Sequence, residues 1–329
     1  MNPPSFWQKA DWRSWALLPL SALFLLASFL RRLFAQPLQP SCPVLCVGNV
    51  TVGGTGKTPV AIDLARRFQE RGENVHLLCR GYGGRLSGPV LVDLATHDAG
   101  DVGDEALLLA QAAPTWAAWD REAGAKAAAA AGASLIILDD GLQNPHLAKT
   151  CSLLVIDGET GFGNGMVLPA GPLREPVRSA LARVDAVVIM GQPKAAALNR
   201  LPFDKPTLQA AIVPRGDMVD RWAERRVVAF AGIGRPDKFF TALTELGSKV
   251  VARCAYPDHH RFDADELERI GSLAERHKAE MVTTVKDWVR LPQTWQQRCD
   301  PLFVNVRWQD AELLEKLLFH QAADKAARY

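Results

Sequence analysis

From Pro43 onward, short uninterrupted apolar runs alternate with longer stretches whose apolar residues recur at helical spacing. The runs 44–47, 75–79, 90–92, 135–138, 153–156 and 186–190 predict strands. The stretches 58–71, 103–111 and the alanine-rich 121–131 predict helices. Strands that are apolar throughout, rather than at every second position, are covered on both faces. The pattern therefore predicts an α/β fold with a mostly parallel sheet and helices on both faces. Alanine is the strongest helix former, so 127–131 reads as packed helix rather than low complexity.

Regularity weakens around 201–221, where Pro202, Pro206 and Pro214 are interspersed, and 201–225 is read as a linker. A second, smaller α/β series follows in 226–329. Its expected elements are strand 226–230, a turn at Gly232–Gly234, a helix to Leu246, strand 249–256, helix 264–278, strands 281–285 and 302–306, and helix 311–320. The predicted organisation is an amino-terminal segment (1–40), a nucleotide-binding core (41–200), the linker and the smaller domain.

The amino-terminal segment has a different pattern. Residues 14–30 carry no charge, Arg13 and Arg31–Arg32 bracket them, and Trp7, Trp12 and Trp15 crowd their amino-terminal side. Roughly 20 apolar residues are wanted for a spanning helix, so this length is borderline. Arg31, Arg32, Leu33 and Phe34 follow the apolar run where a signal peptide needs small residues at its cleavage site. Tryptophan and arginine at the edges favour the headgroup layer, so a membrane-docked helix is expected.

Composition adds limits. The chain has 329 residues, 48% of them hydrophobic and 22% charged, with a net charge of +2. Near-neutrality gives no global electrostatic case for a nucleic-acid partner. No obligate protein partner is evident. The six cysteines show no CxxC pair and no zinc spacing, and Cys46, Cys79 and Cys151 lie in or beside strand-like runs, as core thiols do.

The chemistry begins where the first strand runs into Gly48-Asn-Val-Thr-Val-Gly-Gly-Thr-Gly-Lys-Thr58. In a strand–loop–helix setting this is a phosphate loop: Thr51, Gly53, Gly54, Thr55 and Gly56 bring backbone N–H groups to phosphate oxygens. Lys57 would reach the β- and γ-phosphates of ATP, and the Thr58 hydroxyl would ligate Mg²⁺. The pattern GxxxxGK(S/T) is imperfect, with Thr51 at the first glycine position. The run 134–138 ending in Asp139 and Asp140 has the form of the partner carboxylate strand that orders Mg²⁺.

The motifs GNVTVGGTGKTP, RGYGG (80–84), GDEA (103–106), DDGLQN (139–144), PAGPLREP (169–176) and YPDHHRF (256–262) together resemble the tetraacyldisaccharide 4′-kinase family. The resemblance implies γ-phosphoryl transfer from ATP to the 4′-hydroxyl of a tetraacylated glucosamine disaccharide 1-phosphate, giving lipid IVA in lipid A biosynthesis. It also implies docking on the cytoplasmic face of the inner membrane. An Asp–His pair is expected at the sugar hydroxyl: Asp104, with His259 as the first choice and His260 as the second. A positioned carboxylate can take the hydroxyl proton as the P–O bond forms.

Asn49, Arg80, Tyr82, Gly83, Glu105, Gln143, Arg174 and Glu175 are expected to line the substrate site, with Arg174 near phosphate. Lys286 and Asp287 resemble a family TTxKD segment without an assignable role, and the residues alone read as an exposed ion pair. Met166 stands where a basic residue is expected and Val285 where an acidic one is.

The competing reading is a membrane-cycling ATPase with a deviant phosphate loop, since GGTGKT is close to its GGxGKT. That class places a second lysine just before the glycine pair, where this chain has Val52.

Overall fold

The computed structural model describes residues 4–194 and 204–326. In chain order the strands are β1 (Val44–Gly48), β2 (Val75–Cys79), β3 (Val90–Leu91), β4 (Thr115–Ala117), β5 (Leu135–Asp139), β6 (Cys151–Asp157), β7 (Ala186–Met190), β8 (Thr207–Pro214), β9 (Arg226–Ala231), β10 (Lys249–Ala255), β11 (Glu280–Thr284), β12 (Cys299–Leu302) and β13 (Val304–Trp308). They form two sheets, one ordered β13-β8-β7-β6-β1-β5-β2-β4-β3 and one ordered β10-β9-β11-β12. The large sheet is parallel from β8 to β4 and antiparallel only at its edges, β13 on β8 and β3 on β4. The fold is thus α/β with a large, mostly parallel sheet, as the apolar runs require.

The central strands read as continuous apolar runs because each face has its own core. Along β1, Leu45 and Val47 enter one cluster while Val44 and Cys46 enter the other; β5 repeats the alternation with Leu135 and Ile137 against Ile136 and Leu138. The helix Lys57–Gln69 covers the first face with Val60, Ala61, Leu64, Ala65 and Phe68. The alanine-rich helix Arg121–Ala130 covers the second, where Ala125 and Ala128 are fully buried. Cys46, Cys79 and Cys151 are buried free thiols, and burial pushes Cys46 and Cys79 up to about 12.

Two expectations about organisation are corrected. The segment read as a linker carries β8 and the helix Asp217–Trp222, with Trp222 fully buried. Pro206 and Pro214 stand before and at the end of β8 instead of interrupting it, so the ladder keeps its interior donors. Second, the run read as one strand at 302–306 is two strands in different sheets. The chain leaves the small sheet after Leu302 and joins the large one at Val304, pairing with Pro214. The last helix then buries Leu314, Leu317 and Leu318 against the large core. The small sheet and its helices therefore end at residue 302, and the carboxyl-terminal stretch belongs to the larger unit.

The apolar amino-terminal run forms the helices Trp12–Ala16 and Leu18–Leu33, with Pro19 in the first turn of the second. Among the described residues no helix is long and apolar enough to cross a membrane. The helix is anchored to the body: Ser21 Oγ donates to the Val167 carbonyl (2.8 Å), and Arg32 pairs with Glu175 (2.8 Å). Leu23, Leu26, Phe29 and Leu33 remain exposed on it, and Trp15 on the helix before it.

Candidate active site

The loops that follow β1, β2 and β5 converge at the carboxyl edge of the large sheet, where open parallel sheets hold their ligands. Gly56, at φ 89°, caps the helix Lys57–Gln69, a backbone angle that suits glycine. Lys57 is buried and lies 3.8 Å from Asp140 Oδ2. The Thr58 hydroxyl donates to Asp139 Oδ2 at 2.9 Å. Asp139 is fully buried; desolvation, added to by the charge of Glu105, pushes its carboxyl up to about 7 against the pull of Lys57.

Asn49 Oδ1, Thr55 Oγ1 and Asp139 Oδ1 are buried with no hydrogen-bond partner. Unmade hydrogen bonds on buried oxygens carry a cost that a bound group would relieve. Their grouping at the loop matches a ligand that supplies donors or positive charge. Among the described residues no cluster of three His, Cys, Asp or Glu side chains could hold a metal by itself. A divalent cation here would share its coordination with phosphate oxygens and water, as Mg²⁺ does.

Asp140 takes a left-handed backbone angle (φ 55°), unusual for a residue with a Cβ. Its amide donates to the Val47 carbonyl at 2.9 Å, and Arg174 Nη1 lies 2.8 and 2.9 Å from its two oxygens. Burial alone would raise the Asp140 carboxyl; Lys57 and Arg174 outweigh it and hold it below the usual range. Gln143 Nε2 donates to the Asn49 carbonyl (2.8 Å) and to Glu175 (3.1 Å), tying the carboxylate loop to the phosphate loop. Glu175 is buried at 1% exposure and is held by Arg32, Arg183 and Gln143, so its oxygens face protein. Asn144 Oδ1 caps a turn through the amides of His146 and Leu147.

The loop after β2 packs tightly on the start of the helix Asp104–Ala110. A Cβ on Gly84 would fall 2.6 Å from the Asp101 carbonyl oxygen, and one on Gly103 would fall 2.4 Å from that of Tyr82. These close approaches require glycine and place Asp104 beside the 80–84 loop. Arg80 stacks over Trp119 at 5.3 Å, Tyr82 is exposed, and the side of Gly83 is open.

Asp104 is buried and meets residues more than 150 positions away. His259 Nδ1 is 2.9 Å and Arg290 Nε 3.3 Å from its Oδ2. Its Oδ1 accepts from the Glu105 amide at 3.0 Å. Burial would raise this carboxyl, but the His259 hydrogen bond and the charges of Lys286 and Arg290 prevail and bring it to about 2. His260 turns the other way. It stacks on Tyr256 at 4.7 Å and bonds Glu266 at 2.7 Å, so the structure brings His259, not His260, to Asp104.

Lys286 and Asp287 are not an exposed pair. Asp287 is fully buried, accepts from the Gly232 amide (3.0 Å) and the Thr284 hydroxyl (2.6 Å), and lies 3.3 Å from Arg290 Nη2. Lys286 Nζ is 3.1 Å from His259 Nε2. Sequence reasoning missed Arg290 altogether. The signal was present: Thr284 followed three residues later by Asp287 is a helix-capping pattern at a strand's end. It places Lys286, Asp287 and Arg290 on one short turn.

A phosphate loop with its lysine, threonine and two carboxylates, next to a buried aspartate paired with a histidine, defines an ATP-binding phosphotransferase. The comparisons agree. The sequence profile of the family described as tetraacyldisaccharide-1-P 4′-kinase matches residues 13–322. A tetraacyldisaccharide 4′-kinase of Rhodospirillum centenum is 48% identical over 97% of this chain and 96% of its own length. One of Gluconacetobacter diazotrophicus is 47% identical over 97% of each. The crystal structure of the Aquifex aeolicus LpxK protein in complex with ATP superposes with a TM-score of 0.75 at 27% identity, covering 94% of this chain and 99% of that one. The chain belongs to the tetraacyldisaccharide 4′-kinase family.

Proposed function

We propose that this kinase transfers the γ-phosphate of Mg²⁺-bound ATP to the 4′-hydroxyl of tetraacyldisaccharide 1-phosphate while docked on the cytoplasmic face of the inner membrane. The observation that carries this reading is the pairing of Asp104 with His259 next to a phosphate loop. A sugar hydroxyl is a weak nucleophile, and here a buried carboxylate stands ready for its proton. Oδ2 of Asp104 is taken by His259 and Arg290. Oδ1, which among the described residues is bonded only to the neighbouring Glu105 amide, is the atom that receives the proton as the new O–P bond forms and ADP leaves.

On the donor side, Lys57 and the loop amides orient and neutralise the phosphates. Thr58 and Asp139 would hold Mg²⁺, which would supply positive charge against the negative charge developing on the phosphates. Arg174 holds Asp140 in its constrained backbone position and presents a cation at the same edge. The exposed apolar side of the amino-terminal helix supports docking on lipid, where acyl chains of the acceptor lie. The lysine that the switch-ATPase reading needs is absent at Val52, so nothing favours that alternative.

The test is transfer of labelled γ-phosphate from ATP to a lipid A disaccharide 1-phosphate in detergent micelles, with Mg²⁺ present or chelated. A bis-phosphorylated lipid made only with Mg²⁺, and not by Lys57→Ala, is expected. Robust ATP hydrolysis on vesicles without a lipid product would reject the reading. For the membrane face, Leu23→Glu with Phe29→Glu should weaken vesicle binding without lowering the melting temperature; undiminished binding would sink that part.

A further inference from the structure

The side chain most in need of a role is Lys286. It sits on the short turn after β11, partly buried, with its ammonium 3.1 Å from His259 Nε2 and 3.2 Å from Asp258 Oδ1. A lysine ammonium has hydrogen-bond donors and no acceptor. Its approach to Nε2 therefore requires a lone pair on that nitrogen. The hydrogen of the neutral ring must then lie on Nδ1, where it points at Asp104 Oδ2, 2.9 Å away. One contact on the outer nitrogen thus decides what the inner nitrogen offers to the carboxylate.

We propose that Lys286 is a positioning residue for phosphoryl transfer, fixing His259 as a neutral ring that carries its hydrogen on Nδ1 and so donates to Asp104. The proposal rests on reading Asp104 as the base that takes the acceptor hydroxyl proton.

The charges around the ring show what the lysine prevents. From the helix Asp104–Ala110 the ring meets Asp104; from its own loop it meets Asp258, with Oδ2 3.9 Å from Nε2. From the turn after β11 it meets Lys286, and Arg290 lies behind it on Asp104. Without the ammonium, the outer nitrogen is left facing Asp258 alone. The ring is then free to move its hydrogen to Nε2 to serve Asp258, and Asp104 loses its donor. That change disturbs the base without touching the phosphate loop.

The position is fixed by buried groups. Thr284 caps the turn by accepting from the Asp287 amide, and Asp287, fully buried, bonds the Gly232 amide. The Gly232 carbonyl in turn accepts from the His259 amide at 3.1 Å. The turn that carries the lysine and the loop that carries the histidine are therefore held to each other through one residue.

The test combines ring nitrogen spectroscopy with turnover, on full-length protein carrying ¹⁵N-histidine in detergent micelles. The wild type should show His259 with hydrogen on Nδ1 and a lone pair on Nε2. Lys286→Met should lose that form and reduce lipid phosphorylation about 10- to 100-fold, within the range general-base effects span. ATP affinity should stay within about twofold, because the phosphate loop is untouched. Lys286→Arg, which keeps a donor without an acceptor, should recover the Nδ1–H ring and much of the rate.

Hydrogen on Nε2 of His259 in the wild type overturns the proposal, and that measurement needs no variant to fold. An unchanged ring in folded Lys286→Met overturns it as well, whatever the rate. Absence of lipid phosphorylation by the wild type would instead defeat the functional reading, leaving the ring measurement intact.

Discussion

The two halves of this active site are built on different principles. The donor half lies in one neighbourhood: the loop from Gly48 to Thr58 leaves β1, Asp139 ends β5, the strand hydrogen-bonded beside it, and Asp140 follows directly. The acceptor half is a junction. Asp104 comes from the large unit, while His259, Lys286 and Arg290 come from turns of the small one. Strand pairing registers the donor groups to each other; the acceptor groups depend on how the two units meet. On the proposed reading the first half binds nucleotide by itself, and the second is complete only with both units in place.

That contrast is tested first by Asp104→Asn against Lys57→Ala. Asp104→Asn should cut lipid phosphorylation about 10³-fold, in the middle of the range for a general base, while calorimetric ATP affinity changes little. Lys57→Ala should weaken nucleotide binding as well as turnover. If both variants lost ATP affinity alike, the separation of donor from acceptor half would be wrong.

Next in size is Arg290→Met. Arg290 is 5% exposed and lies against Asp104 and Asp287, both buried. Removing the cation leaves two carboxylates short of a partner, at a cost of about 3 kcal/mol for a broken buried pair. Urea unfolding should show it, with turnover falling about 10-fold because Asp104, the proposed base, is no longer held. A variant as stable as the parent would mean that Asp104 is secured by the histidine alone.

The same contrast sets what the chain discloses before folding. The donor half was legible because a phosphate loop is local: lysine, threonine and glycines stand at fixed spacing between an apolar run and a helix, and the carboxylate strand has its own apolar signature. The acceptor half was legible only through the resemblance carried by GDEA and YPDHHRF. Spacing says nothing about residues 155 positions apart. His260 is as good a candidate as His259 until the fold turns it onto Tyr256 and Glu266. Arg290 was invisible for the same reason. β8 was hidden by prolines at its ends, and the split between β12 and β13 was hidden because one apolar run serves two sheets. Periodicity records that residues are covered, not which sheet covers them.

Acid should expose the junction as well. The Asp104 carboxyl lies at about 2 in the folded protein against 3.8 for a free aspartate side chain. A depressed carboxyl contributes stability that is full above its unfolded value and is lost as pH falls through the folded one. A shift of this size corresponds to about 2 kcal/mol at neutral pH. The urea stability gap between the parent and Asp104→Asn should therefore be present at pH 6 and shrink steadily between about pH 4 and pH 2. A gap that stayed constant down to pH 2 would mean the carboxyl does not depend on its ionised partners.

The smallest expected stability effect falls on the contact that ties the two units on their other side. Arg235, at the start of the helix Pro236–Glu245 in the small unit, pairs with Asp157 at the end of β6, and Lys238 pairs with Glu159 at 3.0 Å. Arg235 is about one-third exposed, so solvent screens the pair, and Arg235→Ala should cost no more than about 1 kcal/mol in urea. Its kinetic effect should be larger than that cost suggests. Arg235 follows the Gly232–Gly234 turn that holds the His259 loop, so loosening it lets the histidine drift from Asp104. The expected signature is a several-fold fall in lipid phosphorylation with ATP affinity unchanged, since the donor half is registered within one sheet. If Arg235→Ala leaves turnover intact, the acceptor half is positioned by the Asp104–His259–Arg290 contacts alone, and the junction is more rigid than its split construction implies.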